Sequence, residues 1–496
     1  MIAEGILSVI TSPSCLLLIC AGVFIGIIFG SIPGLSAVMA VVLFLPLSFG
    51  MTTLNGISLL LGLYIGGISG GLISAILLKI PGTPASVATV FDGGPMADKG
   101  EAGKALGVGI LTSFVGGLLS IFALMFISPY LAKVTLAFTS AEYFAIAVFA
   151  LTIISSLSGN SLINGILAGL FGISLSLVGI APVDGAIRFT FGQSKLYGGF
   201  DTVVILIGLY AVTDIIRTGF DRRDIINQST KYTYSLKGYG IGVKEYLSHW
   251  RNIIQSALIG LGIGILPGIG GSTSSLLAYS AAKGSSKYPE KFGTGIVDGL
   301  IASETANNAV IGGSLIPLIT MGIPGNVATA IFLGGLTIHG ISPGPLIFQK
   351  SGQYVYGIFL ALLVANVFMI ICERAGLRIF VKMLDIPKYI LLPIVMVCCV
   401  VGAYCSNYSI FDVWCVAIFG LVGLLFKFLK VPATPMIIGF ILGSMTEENL
   451  RQALMQTGGN WSIFVTRPIS LIFLLIAAFS VAMTIRKQVL KSKKKA

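Results

Sequence analysis

Apolar runs of about 18 or more residues, with almost no charge, recur from one end of the 496-residue chain to the other. Runs of this length are typical of transmembrane helices. Glycines and prolines divide the sequence into about 16 apolar segments, and some of these are too short to cross a bilayer alone. The pattern predicts an all-α polytopic membrane protein with about 11 to 14 crossings and additional re-entrant hairpins.

The composition supports this prediction and excludes an ordinary soluble domain. Hydrophobic residues make up 55% of the chain and charged residues only 10%, and the mean hydropathy is +0.97. A soluble domain carries roughly 25% charged residues. This chain therefore has too few charges to cover a water-exposed surface, and its expected partner is the lipid bilayer.

The net charge of +12 arises mainly from two basic stretches, a polar loop at 217–251 and the tail at 486–496. The positive-inside rule predicts that both lie in the cytoplasm. We expect this charge to set the topology and to contact lipid headgroups, and we expect no nucleic-acid partner. A docking surface for another protein is the alternative.

The two halves of the sequence resemble each other. FGSIPGLS at 29–36 matches IGILPGIG at 263–270, and ISGGLISAILLKIPG at 68–82 matches IGGSLIPLITMGIPG at 311–325. Internal duplication is the usual build of secondary transporters, whose substrate sites lie where interrupted helices of the two halves meet. The duplication therefore favours a transporter.

The matches predict four parts: a first transmembrane repeat at 1–216, the basic cytoplasmic loop at 217–251, a second transmembrane repeat at 252–460, and a terminal helix with a basic tail at 461–496. Inverted repeats are favoured, with the terminal helix as an extra crossing that returns the C-terminus to the cytoplasm. A parallel duplication with a cytoplasmic N-terminus is the alternative.

Four Pro-Gly pairs interrupt the apolar segments: Pro33-Gly34, Pro81-Gly82, Pro267-Gly268 and Pro324-Gly325. Proline removes a backbone donor, and non-helical backbone at membrane depth persists only inside protein or beside a watery cavity. A half-helix that starts after such a break directs free N–H groups and a positive dipole end at a ligand. The pattern predicts an anion site without a buried cation, and proline kinks that only assist packing are the alternative. The candidate residues are Pro81, Gly82, Thr83, Ser86, Pro324, Gly325 and Asn326.

The sequence IASETANNAVIGG at 301–313 is the most polar stretch within an apolar segment. On a helix, Glu304, Asn307 and Asn308 share one face. An ionisable residue inside a membrane indicates a functional site, and Glu304 with Ser272 and Thr273 is the predicted site for a coupling Na⁺ or H⁺. The alternative is that Glu304 lies at the membrane interface and its side chain extends to water. We expect no other metal and no cofactor.

Two further polar features are expected to play smaller parts. The segment 91–107, which begins with Phe91 and Asp92, carries charges of both signs and is predicted to be a water-exposed loop. Arg188, which flanks a Gly-rich loop, is a weak candidate for guiding anions. The chain has no Walker A, HExxH or Rossmann fingerprint, so we expect no enzymatic activity.

Two long ordered blocks, 80–107 and 306–348, together with SIPGLS and ILPGIGG, resemble the large membrane subunit of the tripartite tricarboxylate transporter family. The resemblance implies uptake of small carboxylates across a bacterial inner membrane. It implies two partners, a small helical membrane subunit and a periplasmic solute-binding protein. It also makes 81–86 and 324–326 the best substrate-site candidates, followed by Asn307 and Asn308.

The sequence thus supports a secondary active carboxylate importer coupled to Na⁺ or H⁺. A channel-like passive pore for organic anions is the alternative, and a membrane-embedded enzyme or scaffold is a third hypothesis that the missing catalytic motifs disfavour.

Overall fold

The structure is a computed structural model that describes residues 2–157, 162–220, 240–384 and 388–493. Part of the predicted basic loop, including Arg222, Arg223, Lys231 and Lys237, and the last residues of the tail lie outside the described residues.

The described chain is almost entirely helical. Its helices are α1 (Ile2–Ile10), α2 (Pro13–Ser31), α3 (Ala37–Ser48), α4 (Thr53–Leu77), α5 (Val87–Asp98), α6 (Ala102–Thr135), α7 (Ser140–Leu157), α8 (Leu162–Ser176), α9 (Thr202–Leu206), α10 (Thr213–Phe220), α11 (Val243–Ser248), α12 (Trp250–Ile265), α13 (Gly270–Ser285), α14 (Val297–Met321), α15 (Val327–Ile338), α16 (Ile347–Lys350), α17 (Gly352–Met383), α18 (Lys388–Asn407), α19 (Ile410–Phe428), α20 (Ala433–Gln456), α21 (Ile463–Thr466) and α22 (Pro468–Lys493). A π-helical turn (Ile207–Val212) joins α9 to α10, and short 3₁₀ turns lie at Pro84–Ser86, Ser194–Leu196 and Pro289–Lys291. Two short strands, β1 (Gly179–Ile180) and β2 (Ile187–Arg188), pair antiparallel.

Six described helices are long and apolar enough to cross a membrane: Pro13–Ser31, Thr53–Leu77, Ala102–Thr135, Thr202–Gly219, Gly352–Lys382 and Ile410–Phe428. Shorter apolar helices accompany them. These spans confirm the all-α polytopic membrane fold, while the number of crossings stays a prediction. The polar helix α14 is not one of the six, but every residue from 299 to 320 is buried.

Glycines bring α2 and α4 into backbone contact. A Cβ atom on Gly26 would lie 2.5 Å from the Leu63 carbonyl oxygen, and one on Gly66 would lie 2.2 Å from that of Val23. Small residues allow such approach between membrane helices. The two helices run in the same direction, and the short α3 lies between them in sequence.

The same arrangement occurs at α12, α13 and α14. A Cβ atom on Gly260 would lie 2.5 Å from the Ala306 carbonyl oxygen, and one on Gly313 would lie 2.6 Å from that of Leu261. Each block thus consists of two parallel helices that are joined through a Pro-Gly break and a shorter helix, followed by a second break and another short helix.

The helices α4 and α14 run in opposite directions. Ile76 at the end of α4 and Leu300 at the start of α14 both lie against Gly93, whereas Ser314, late in α14, bonds to Tyr64 in the middle of α4. Inverted repeats would produce this relation, but the duplication itself stays a prediction.

Candidate substrate cavity

A cavity of about 1030 Å³ is lined by residues of three Pro-Gly pairs and by Asn326, which directly follows the fourth pair. The lining residues that lie in or directly after the breaks are Pro33, Gly34, Ser36, Pro81, Gly82, Thr83, Gly268, Gly271, Ser272 and Asn326. Gly34 and Gly268 have positive φ angles of 97° and 82°, which only glycine adopts at little cost. The breaks are therefore built to turn sharply at the cavity wall.

Hydrogen bonds hold the breaks together. The Gly268 N–H donates to the Gly325 carbonyl oxygen at 2.8 Å. The Ser275 hydroxyl donates to the Ala85 carbonyl oxygen, also at 2.8 Å, and so links the two blocks. The breaks form one continuous wall rather than four separate kinks.

Asn326 lies in the lining, but its side chain is occupied by the protein. Its Oδ1 accepts a hydrogen bond from the Thr329 N–H at 2.9 Å, and the Thr329 hydroxyl accepts one from the Asn326 N–H. This reciprocal capping box fixes the start of α15. Its Nδ2 donates to the Tyr64 hydroxyl at 3.0 Å.

The N-termini of α3 and α15 both face the cavity. Ser36 caps α3 by accepting a hydrogen bond from the Met39 N–H at 3.1 Å. Ala37, Val38, Val327 and Ala328, the first residues of the two helices, line the cavity. The first N–H groups of a helix have no partner within it, so both helices present donors here.

Asn307 is the polar side chain of α14 that reaches the cavity. It is fully buried, and its Oδ1 has no hydrogen-bond partner among the described residues. This oxygen faces the break at 266–271, since a Cβ atom on Gly271 would lie 2.9 Å from it. The Asn307 Nδ2 points the other way and lies 3.5 Å from Glu304 Oε2.

Glu304 lies behind the cavity wall and is fully buried, so its side chain does not reach water. Its carboxyl accepts hydrogen bonds from the Thr89 and Ser113 hydroxyls and from the Asn308 amide. Ser272 lines the cavity instead. Among the described hydrogen bonds, Glu304 has none with Ser272 or Thr273, so the structure does not assemble the predicted ion site as one cluster.

The other predicted residues lie just outside the lining. Ser86 is fully buried and bonds to the Thr83 hydroxyl at 3.1 Å. Pro324, Gly325, Asn308 and Thr273 are likewise not lining residues. Gly325 fits closely instead: a Cβ atom on it would lie 2.5 Å from the Gly264 carbonyl oxygen.

Alanine at Gly82 or Gly325 is expected to displace the breaks and to lower both melting temperature and uptake. A Cβ atom on Gly82 would lie 2.2 Å from the Gly30 carbonyl oxygen, and backbone cannot move aside as a flexible side chain can. Gly262→Ala is the matched control, because a Cβ atom there meets nothing within 4 Å and alanine favours the helix. Equal behaviour of all three variants in a thermal-unfolding assay would contradict the packing argument.

The cavity lining also carries charged and hydroxyl groups that the sequence did not single out. Asp214, Arg217 and Lys427 belong to it, together with Tyr210 and Thr434. Lys427 is paired with Asp214, and Arg217 is exposed. The signal available in the sequence was the position of Arg217 at the start of the basic loop.

The expectation that 91–107 is water-exposed is wrong for Asp92. Its side chain is fully buried, and Oδ1 accepts hydrogen bonds from the N–H groups of Gly293, Gly295 and Ile296 at 2.9, 2.7 and 3.0 Å. Oδ2 accepts one from the Tyr279 hydroxyl at 2.8 Å. Asp92 therefore fastens α5 to the segment before α14.

Arg188 is not available to guide anions. Both of its terminal nitrogens bond to the Glu447 carboxylate, at 2.6 and 3.0 Å. This bidentate pair occupies both terminal nitrogens, so Arg188 instead attaches β2 to α20.

The helical spans and the polar cavity between broken helices define a polytopic membrane protein of the transporter class. The chain belongs to the tripartite tricarboxylate transporter TctA family, whose family model matches residues 16–438. This family comprises membrane subunits of transporters and is not an enzyme family, so the chain is a component of a tricarboxylate transporter.

Two relatives come from Agrobacterium vitis. One, an uncharacterized 52.8 kDa protein in the TAR-I ttuC' 3' region, is 34% identical over 90% of this chain and 89% of its own length. The other, an uncharacterized protein in the TAR-II ttuC' 3' region, is 35% identical over 42% of this chain and 86% of its own length. No solved structure matches the chain.

Proposed function

We propose that this chain is the translocating subunit of a secondary active importer of small carboxylates, coupled to Na⁺ or H⁺, in a bacterial inner membrane. A periplasmic solute-binding protein delivers the substrate, and a small helical membrane subunit completes the complex. The observation that carries the proposal is one cavity lined by three of the Pro-Gly pairs and by Asn326, the residue after the fourth. Interrupted helices that meet at a central site are the build of secondary transporters.

The carboxylates of the substrate bind to neutral donors at the breaks. The N-termini of α3 and α15 supply N–H groups with positive partial charge, and Thr83 and Ser272 supply hydroxyls at the same wall. Strong charge-assisted hydrogen bonds form between such donors and a carboxylate. A buried cation would hold the anion too, but neutral donors release it more readily into the cytoplasm.

Asn307 recognises a different part of the ligand. Its unpartnered Oδ1 is a hydrogen-bond acceptor, so it does not bind a carboxylate oxygen. It accepts a hydrogen bond from a substrate hydroxyl or from a protonated carboxyl. Contact with a coupling Na⁺ is the alternative. A buried acceptor without a partner is costly. Hydroxy acids, which provide both carboxylates and a donor, therefore fit the cavity better than unsubstituted acids.

A cation in the cavity lining attracts the anion. Arg217 and Lys427 both line the cavity, but Lys427 is paired with Asp214, so Arg217 supplies the charge that raises the local concentration of an anionic ligand. The cavity of about 1030 Å³ lies at the upper end of small-molecule sites, which span about 300 to 1000 Å³. It accommodates a small carboxylate together with water.

Uptake by proteoliposomes tests the proposal. Purified complex with the binding protein outside is expected to accumulate radiolabelled citrate or malate against its gradient, with saturation, when an inward Na⁺ or H⁺ gradient is imposed. The passive-pore alternative instead predicts flux that rises linearly with concentration and ignores both ion gradients. Absence of uptake under either gradient, with intact complex, would overturn the proposed function.

A further inference from the structure

Glu373 is a second buried acid in a membrane-spanning helix, at the end of the long apolar run of α17, where Arg374 follows it. Its side chain is fully buried, and neither carboxyl oxygen has a hydrogen-bond partner among the described residues. It does not line the cavity. Intramembrane acids are rare and mark ion or proton pathways, so this side chain requires an explanation that packing does not give.

The groups around Glu373 are almost all neutral. Ser69 of α4 lies beside its carboxyl without a standard hydrogen bond, and Glu304 of α14 lies near enough to interact with it electrostatically. The helices α2 and α4, which pack against α17, contain no Asp, Glu, Lys, Arg or His. Charged residues of α1 and α6 lie at or near the helix ends, at Glu4, Lys104 and Lys133. The residues on either side of Glu373 in the chain do not bind its carboxyl. Cys372 faces Cys20, and Arg374 donates no hydrogen bond to Glu373.

An ionised Glu373 would be strongly unfavourable in this place. The effective penalty for burying an unpaired ion is several kcal/mol, and the nearby Glu304 adds like-charge repulsion when both are ionised. Glu304 accepts hydrogen bonds from three elements, whereas among the described residues Glu373 has only the nearby Ser69 hydroxyl, which forms no standard hydrogen bond with it. The surroundings of Glu373 therefore stabilise a negative charge less than those of Glu304 do.

A bound metal ion does not explain Glu373 equally well. Hard cations take several oxygen ligands, and the described residues contain no group of three acidic, His or Cys side chains that holds a metal ion. The ligand that a single buried carboxyl accepts without further partners is a proton.

We infer that Glu373 is a proton-binding residue of the translocation pathway, and that it works together with Glu304 behind the cavity wall. The transport role rests on the proposed function. A proton binds the Glu373 carboxylate when this acid is open to one side of the membrane, and it leaves to the other side after the conformational change. Each proton that moves with the substrate cancels one of its negative charges.

The two acids are placed to sense the cavity. The Oδ1 atom of Asn307 faces the cavity, and the Nδ2 atom of the same side chain faces Glu304. On the other side, Ser69 follows Ile68, which lines the cavity. Substrate binding at Asn307 therefore acts on Glu304, and the charge of Glu304 acts on Glu373. This order of contacts gives a route by which a filled cavity favours proton uptake.

Infrared spectroscopy tests the proton without any transport assay. The purified complex at neutral pH is expected to show the carbonyl band of a protonated carboxylic acid that is missing in Glu373→Gln, whose amide matches the shape of the neutral acid. Glu304→Gln should keep this band. If Glu373→Gln fails to fold, the band in Glu304→Gln still shows that the protonated acid is not Glu304. Absence of the band in the wild type, or its loss on addition of Na⁺, would overturn the inference.

Transport of labelled citrate or malate separates this inference from the proposed function. Glu373→Gln is expected to retain exchange of external for internal substrate, while its accumulation under an inward proton gradient falls to the level without a gradient. Wild-type protein that performs no exchange would refute the proposed function. A Glu373→Gln protein that still responds to the proton gradient as the wild type does would refute the proton site alone.

Discussion

Asn307→Ala is expected to raise the KM for carboxylate uptake by roughly 5- to 150-fold, because a buried substrate hydroxyl that loses its acceptor costs about 1–3 kcal/mol. Asn307 is the buried amide whose Oδ1 reaches the cavity without a partner. Alanine removes the acceptor and leaves a small void, whereas the four breaks keep their own hydrogen bonds. The measurement is the concentration dependence of initial uptake in proteoliposomes.

Asn308→Ala is the matched control for this change. Asn308 also contacts Glu304 Oε2, at 3.4 Å compared with 3.5 Å for Asn307, but it does not line the cavity. We expect its KM to stay within about twofold of the wild type, since a contact away from the ligand leaves ligand binding unchanged. If the two variants lose affinity equally, Asn307 acts through Glu304 rather than through the substrate.

Asp92→Ala is expected to lower the free energy of unfolding by at least about 3 kcal/mol, because each buried donor that loses its partner costs about 1–3 kcal/mol. Three backbone N–H groups and the Tyr279 hydroxyl depend on this one carboxylate. Thermal unfolding in detergent should show a clear drop in melting temperature, and the segment at 293–296 should become more sensitive to protease.

Asp98→Ala provides the comparison within the same helix. Asp98 pairs with Lys79 at 2.6 Å, but both side chains are more than half exposed, at 59% and 51%. Exposed ion pairs contribute about 0–1 kcal/mol, so this variant should unfold close to the wild type. An Asp92 variant as stable as the Asp98 variant would show that the segment 293–296 finds other partners.

The sequence predicted the helical membrane fold and the positions of the breaks between helices because both depend on local patterns. The Pro-Gly pairs turn the chain wherever they occur, and the 3.6-residue period places Glu304, Asn307 and Asn308 on one face. The structure keeps that face, and it brings Asn307 to the same cavity as the breaks. Whether these residues bind the substrate stays a prediction that the experiments above address.

The residues that the sequence missed depend on distant partners. Asp92 is buried because glycines two hundred residues later offer their N–H groups, and no local pattern records that pairing. Glu373 was missed because the mean hydropathy of its helix is high in spite of this acid. Asn326 was predicted to contact the substrate, but its capping box and its bond to Tyr64 become visible only when the two blocks are assembled.

Tyr64 acts as a latch between the two blocks of helices. Its hydroxyl, which belongs to the first block, bonds to Asn326 and to Ser314 of the second block, at 3.0 and 3.2 Å. Any movement that parts the blocks at the cavity must open both bonds, and each is worth about 0.5–1.5 kcal/mol. These two bonds together therefore oppose such a movement by about 1–3 kcal/mol, in addition to the Ser275–Ala85 bond, and the binding of one small anion is strong enough to offset a cost of that size.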